Sequence, residues 1–388
     1  MHKKYGAILL AVVILISCIG IFAVAQDKVK ITFWTHTDPN RTELEKLYIE
    51  WFELLYPNVE IERVTQPSAK MQESLLTAFA ARKGPDIFNQ EIQYEYRYIL
   101  NERVAPVDPE AIGYDDIEEV YDEYLEGTLD PVTYEGELYG LPLEVTNWAV
   151  FVNKKYFRDV GLDPEEDYPK TWKEMMEVSK ELVTRKGEAI GRRGFDFRYP
   201  YYVTSLLPMV NQLGGKMISE DGEDAIINHD AWLGVLEYLK NWGPRGENLG
   251  SPNYETARYL WNQDKNEVTM CLSGLYQIGR LKNDNPKFFA SNDWSVIPFP
   301  RFEDPVNDVG SNIYGHFYMV NSQSSDEVQE WAWKFIDFML SHPQEYLLHA
   351  GLVQPRKSLM ESKVFESFPY ADVFMDELSK SNYVPLSP

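Results

Sequence analysis

Cysteine is almost absent from this 388-residue chain, with only Cys18 and Cys271 present. Cys18 falls inside an N-terminal targeting segment, so the rest of the chain cannot build an internal disulfide. Histidine is also scarce, at 6 residues, and His342 and His349 stand seven apart rather than at zinc-ligand spacing. No metalloprotease, nucleophile-elbow or phosphate-loop pattern occurs, which removes the enzyme classes those motifs mark. Paired glycosidase carboxylates have no fixed local spacing, and with 61 acidic residues coincidental pairs are expected. Positive charge is in deficit: 37 Lys and Arg face 61 Asp and Glu, a formal net charge of -24. Nucleic acid and anionic membrane surfaces are therefore poor partners, because phosphate contacts need clustered Lys and Arg. Beyond the N-terminus no apolar run approaches the roughly 20 residues of a spanning helix. There is no internal repeat and no low-complexity tract.

The basic start His2-Lys3-Lys4, the apolar residues 7–16 and the small residues Ala23-Val24-Ala25 form a signal peptide over 1–25. Cleavage after Ala25 is the favoured reading. The alternative is lipid anchoring at Cys18, since Leu15-Ile16-Ser17-Cys18 resembles a bacterial lipobox. Either way the chain is exported, to the periplasm or the outer face of the cytoplasmic membrane. Its length suits two domains with separate cores. Aromatic residues are plentiful, with 25 Tyr, 19 Phe and 10 Trp. Most serve cores, and some suit a cleft where apolar C–H faces pack on rings.

Val29, Ile31 and Phe33 alternate as a strand, and Asp38 then caps a helix with Pro39 at its first position. Leu44, Leu47, Tyr48, Trp51, Phe52 and Leu55 recur at helical spacing as a buried face. A second alternating strand covers 59–64, a helix capped by Ser68 follows, and Asp86-Ile87-Phe88 is a third strand. This β-α-β-α-β run predicts an open sheet covered by helices. Ligands in such sheets bind at the carboxyl ends of the strands. Further on, Thr171 with Glu174 and Ser324 with Glu327 read as capping boxes, and Cys271 as a buried strand residue.

The block Tyr139-Gly140-Leu141-Pro142-Leu143, then Phe151-Val152-Asn153-Lys154, then Gly161-Leu162 and Thr171-Trp172-Lys173-Glu174 resembles the domain-crossing region of the extracellular sugar-binding proteins of ABC importers. Ile31-Thr32-Phe33-Trp34, Gly84-Pro85-Asp86-Ile87, Leu213-Gly214-Gly215, residues 268–276 and Gly351-Leu352-Val353-Gln354-Pro355 resemble that family's motifs in the same order. Val152, Cys271 and Tyr276 replace residues common there. The resemblance covers residues 28–370 and implies a class II periplasmic-binding-protein-like fold of maltose-binding-protein type. Two α/β lobes would be joined by crossing segments around a central cleft. The N-terminal lobe would comprise 27–141 and 299–342, and the C-terminal lobe 142–298 and 343–388.

By motif position the resemblance nominates His36, Asp38, Gln66, Gln90, Gln93, Glu144, Thr146, Asn147, Tyr201, Tyr202, Asn211, Tyr276, His316 and Gln354 as ligand contacts. Arg356 reads instead as a surface ion pair, and Trp148 as core. Amides, tyrosines and single carboxylates suit neutral polyhydroxyl ligands, whose hydroxyls both donate and accept. The implied function is capture of a mono- or oligosaccharide and delivery to membrane permease subunits, without catalysis, metal or cofactor, by a monomer. A polyamine, iron or peptide ligand on the same fold and an exported glycoside-acting enzyme are the alternatives.

Overall fold

The alternation at Val29, Ile31 and Phe33 produces strand β1 (Val29–His36), whose inward side chains are fully buried at Ile31 and Phe33. The computed structural model describes residues 28–197, 203–219, 222–227, 230–251 and 257–385. β1 lies parallel to β2 (Val59–Gln66) on one side and β3 (Ile87–Glu91) on the other. β4 (Val104–Ala105) is a short edge piece, and β5 (Thr133–Tyr134) with β6 (Glu137–Leu138) forms a separate hairpin. The long β13 (Asn312–Asn321) runs antiparallel to β3, β4 and β7 (Leu141–Thr146), completing the first sheet.

A second sheet has the order β12-β8-β11-β10-β9. Its members are β8 (Ala149–Asn153), β9 (Thr184–Lys186), β10 (Ala189–Asp196), β11 (Val268–Ser273) and β12 (Trp294–Ile297). Each sheet carries helices and its own core, which makes two α/β lobes. In the first lobe, Leu44, Tyr48 and Phe52 of the helix Pro39–Leu55 meet Phe335, Ile336 and Met339 of the helix Asp326–Leu340 above β1. In the second, Trp172, Phe195, Phe197 and Trp242 fill one face of the sheet, and Phe151, Trp261, Trp294 and Phe374 fill the other.

The chain passes between sheets several times. Only Asn147 and Trp148 separate β7 in the first sheet from β8 in the second. Residues 298–311 lead back from β12 to β13. After the helix Pro343–Ala350, the chain runs beside β7, where the Val145 amide donates to the Val353 carbonyl at 2.8 Å. The last strand, β14 (Asn382–Tyr383), returns to the first sheet and pairs with β13. This final return has no counterpart in the sequence pattern.

Local chemistry explains most element ends. Asp38 caps the helix Pro39–Leu55 as expected, and Thr171 with Glu174 forms a complete capping box on the helix Trp172–Leu182. Three expectations need correction. The helix Ser68–Ala80 is entered through Pro67, and Ser68 is its first residue rather than its cap. The cap of the helix Asp326–Leu340 is Ser325, one residue later than the Ser324 pattern indicated. The buried stripe of the helix Pro39–Leu55 is narrower than its spacing suggested: Leu47, Trp51 and Leu55 are 37%, 43% and 62% exposed. Arg356 is also not on the surface, being buried over the Tyr124 ring and paired with Asp337 at 3.4 Å.

Candidate ligand-binding cleft

β1 and β3 both run toward the gap between the lobes, so the residues just after them meet the second lobe. Asp38 lies at this point. Its Oδ1 accepts the Asn40 amide at 2.9 Å and the Arg41 amide at 3.4 Å, closing the helix start. Its Oδ2 accepts from Arg280 at 2.8 Å, and Arg280 belongs to the helix Tyr276–Asp284 of the second lobe. Nearly one turn along that helix, the Asn283 amide donates to Asn40 Oδ1 at 2.8 Å. Burial pushes the Asp38 carboxyl up, but Arg280 and Arg41 outweigh it and leave it below its usual value. The Arg280 guanidinium lies 4.9 Å over the ring of Tyr276, which is 6.3 Å from the ring of Tyr314.

Beside this corner two histidines stack. The His36 and His316 rings are 4.4 Å apart, and the Asn89 amide nitrogen stands 3.3 Å from Nδ1 of each. Arg41 donates to His36 Nδ1 at 3.0 Å, and because guanidinium can only donate, that nitrogen is an acceptor. His316 Nε2 is 2.5 Å from the Tyr314 hydroxyl. Burial, with Arg41 beside it, pulls the His316 pKa down to about 3, and the same causes hold His36 well below its usual value. Both imidazoles are therefore neutral near neutral pH. Arg41 is held from behind: Glu45 lies 3.3 Å from its Nε, pairs with Arg63 at 2.5 Å and accepts from the Tyr318 hydroxyl at 2.9 Å.

The third wall is the crossing itself. Glu144 and Thr146 lie opposite His316 and Tyr314 across the β7–β13 pairing and so share their face of the sheet. Val145 points the other way, lining a cavity with Ile313, Met375 and Leu378 behind the crossing. Gly274 brings the second lobe in: a Cβ there would stand 2.5 Å from Tyr276 Cε1 and 3.2 Å from Thr146 Cγ2. Gly351 ends the helix Pro343–Ala350 at φ 69°, where a Cβ would meet Tyr276 Cα at 2.9 Å. Asn147, Thr146 and Gln354 are all buried at this crossing.

The fold thus brings together His36, Asp38, Glu144, Thr146, Asn147, Tyr276, His316 and Gln354. Other nominated residues go elsewhere. Gln90 shares the face of Phe88, beside the Tyr98 hydroxyl and away from the histidine pair. Gln93 donates to Glu91 at 2.7 Å. The Asn211 amide closes a loop onto the Gly215 carbonyl at 2.8 Å. Gln66, by contrast, stays close: it ends β2 opposite His36 in the parallel register, and its backbone carbonyl accepts from Thr37. Tyr201 and Tyr202 lie outside the described residues. Sequence reasoning missed Asn89, Arg41, Arg280 and Tyr314. Strand alternation signals Asn89, one residue before Gln90, and helical spacing signals Arg280, four residues after Tyr276.

Among the described residues of the cleft, Asp38, Glu45 and Glu144 stand against Arg41, Arg63 and Arg280, and Glu91 lies opposite His316 across the β3–β13 pairing. Among the described residues no group of three or more His, Cys, Asp or Glu could hold a metal ion. None of their helices is long and apolar enough to cross a membrane. Residues 38–346 match the model of the bacterial extracellular solute-binding protein family. The chain belongs to that family. It is 24% identical over 288 residues to an arabinooligosaccharide-binding protein of Halalkalibacterium halodurans, covering 72% of this chain and 60% of the relative. A lactose-binding protein of Rhizobium radiobacter is 22% identical over 89% of this chain and 78% of its own. An ABC transporter solute-binding protein from Thermotoga lettingae, solved with α-D-tagatose, has the same fold. Its TM-score is 0.79 at 20% identity, over 93% of this chain and 90% of that one. Family membership places the chain outside the cytoplasm and establishes the class II binding-protein fold.

Proposed function

We propose that this protein is the substrate-binding component of an ABC importer, capturing a neutral mono- or oligosaccharide between its lobes and presenting it to membrane permease subunits. The observation that carries this reading is the pairing of the cleft's cations. Among the described residues Arg41, Arg63 and Arg280 are each matched by a carboxylate, and both imidazoles are neutral. An acidic ligand finds no uncommitted Arg among them. What remains is polar, neutral and ringed by Tyr276 and Tyr314, a chemistry suited to hydroxyls and sugar faces. Relatives that bind arabinooligosaccharide and lactose support the same class.

The lobes exchange the chain at 147–148, 298–311 and 351–353, with a fourth return at β14, and we assign the hinge to these segments. Ligand drives closure only by binding the closed form better than the open one. The protein acts without catalysis, as a monomer, after export by the signal peptide, with lipid anchoring at Cys18 the alternative to cleavage.

The test is thermal unfolding of the mature chain against lactose, maltose, mannobiose, arabinooligosaccharides and α-D-tagatose, with spermidine and Fe³⁺ as charged controls. A ligand at 100 times its Kd adds about 2.7 kcal/mol. A rise with a neutral saccharide that is recovered unchanged supports the proposal. A rise with the charged controls alone, or breakdown of the sugar, overturns it.

A further inference from the structure

Many polar side chains of the cleft have protein partners, but at the crossing three buried amide atoms have none. Gln354 is fully buried, and neither its Oε1 nor its Nε2 has a hydrogen-bond partner. Since both atoms are unpaired, exchanging amide oxygen and nitrogen leaves the result the same. Asn147 is 1% exposed, and its Nδ2 is likewise unpaired. A buried donor or acceptor without a partner is destabilising, so three such atoms at one crossing are a cost to the protein alone.

Their location gives the cost a purpose. The Val145–Val353 hydrogen bond places Gln354 against β7, beside Glu144 and Thr146 on the strand that also carries the crossing. Asn147 is half of the two-residue link between the sheets. Gly274 and Gly351 hold Tyr276 against the same spot. The amides therefore stand where both lobes and the histidine wall converge. They are unlike Gln212, a second buried amide, which donates to the Pro300 and Val309 carbonyls at 3.0 and 2.8 Å and accepts from Trp172.

We infer that Gln354 and Asn147 are specificity-determining residues that read neighbouring hydroxyls of the ligand at the crossing. This rests on the carbohydrate reading above and sharpens it. Two donors and one acceptor match a vicinal diol, in which one hydroxyl donates to Gln354 Oε1 while its oxygens accept from the two amide nitrogens. A ligand lacking one of the two hydroxyls, or holding them apart, leaves an amide unpaired and binds less well.

Gln354→Met removes both polar atoms at nearly constant volume. The inference expects two effects of opposite sign. The unliganded protein melts at the same or a higher temperature. Affinity for whichever saccharide of the panel wild type binds best falls by at least about tenfold, as expected for losing two hydrogen bonds. Asn147→Ala, titrated in the same way, loses affinity as well. A lower melting temperature for unliganded Gln354→Met shows that the amide serves the fold and overturns the inference. Unchanged affinity in both variants overturns it too, while leaving the carbohydrate reading intact. Wild type that binds no saccharide in the panel overturns the carbohydrate reading and this inference together.

Discussion

Two ends of one cleft differ in how their polar groups are satisfied. At the Asp38 corner each charge has a partner: Asp38 holds Arg280 across the lobes, and Glu45 holds Arg41 and Arg63 from behind. At the crossing, Gln354 and Asn147 are just as buried and have unpaired amide atoms. Burial alone therefore does not mark a binding group. The paired corner holds lobes and rings in place, and on the inference above the unpaired amides are completed from outside the chain. Buried polar groups are nearly always hydrogen-bonded; the Asp38 corner leaves Asn40 Nδ2 unpaired, whereas the crossing leaves three amide atoms together.

The sharpest way to break the paired end is Glu45→Ala. It strands Arg41 and Arg63 in a dry interior, and breaking a buried pair of this kind costs about 3–5 kcal/mol. Chemical denaturation should show that loss, and a change under about 1 kcal/mol would mean the network is not structural. Gly279→Ala comes next. A Cβ there would stand 2.8 Å from backbone atoms of Ala350, so the contact between the helix Tyr276–Asp284 and the Pro343–Ala350 turn must open. Overpacking of this sort costs about 1–3 kcal/mol, again read by denaturation.

Asp38→Asn isolates the cross-lobe pair, because Asn remains a good helix cap and Arg280 loses only its charge partner. The expected result is a larger radius of gyration in small-angle scattering without ligand, with little change in the helix. An unchanged radius would show that Arg280 does not help hold the lobes together.

Acidity tests the histidine wall. The His36 and His316 pKa values are depressed in the folded protein, so below about 6.5 the unfolded chain takes up protons that the folded chain refuses. Their contribution to stability is full above the unfolded value near 6.5 and is lost as pH falls below it. His316→Asn should flatten this part of the stability profile. An equally steep profile would assign the acid sensitivity to other groups, such as the paired Asp38.

The order of motifs in the sequence carried the fold. β1, the Asp38 cap and the Thr171–Glu174 box follow from residue pattern, whereas the first sheet keeps the chain through β7 to Thr146, beyond the lobe boundary expected at 141. The site was harder to read, for physical reasons. Gln90 was nominated where Asn89 faces the histidine pair, since a strand turns its neighbours to opposite faces and motif position alone does not give the phase. Arg280 was passed over because its role depends on a lobe brought in from 242 residues away. Gln354 and Asn147 were nominated from motif position, but only burial and missing partners distinguish them from Asn211, an amide spent on closing its own loop. The exposed Leu47, Trp51 and Leu55 show the limit of periodicity, which gives a helix face but not how far neighbours cover it.

The central claim, a neutral ligand completed by the crossing amides, is tested most directly by isothermal titration of wild type with the saccharide panel at low and high salt. The account predicts one saccharide whose affinity is nearly independent of salt, because no net charge is exchanged on binding. Binding confined to a charged ligand, weakening steeply as salt screens it, would contradict it.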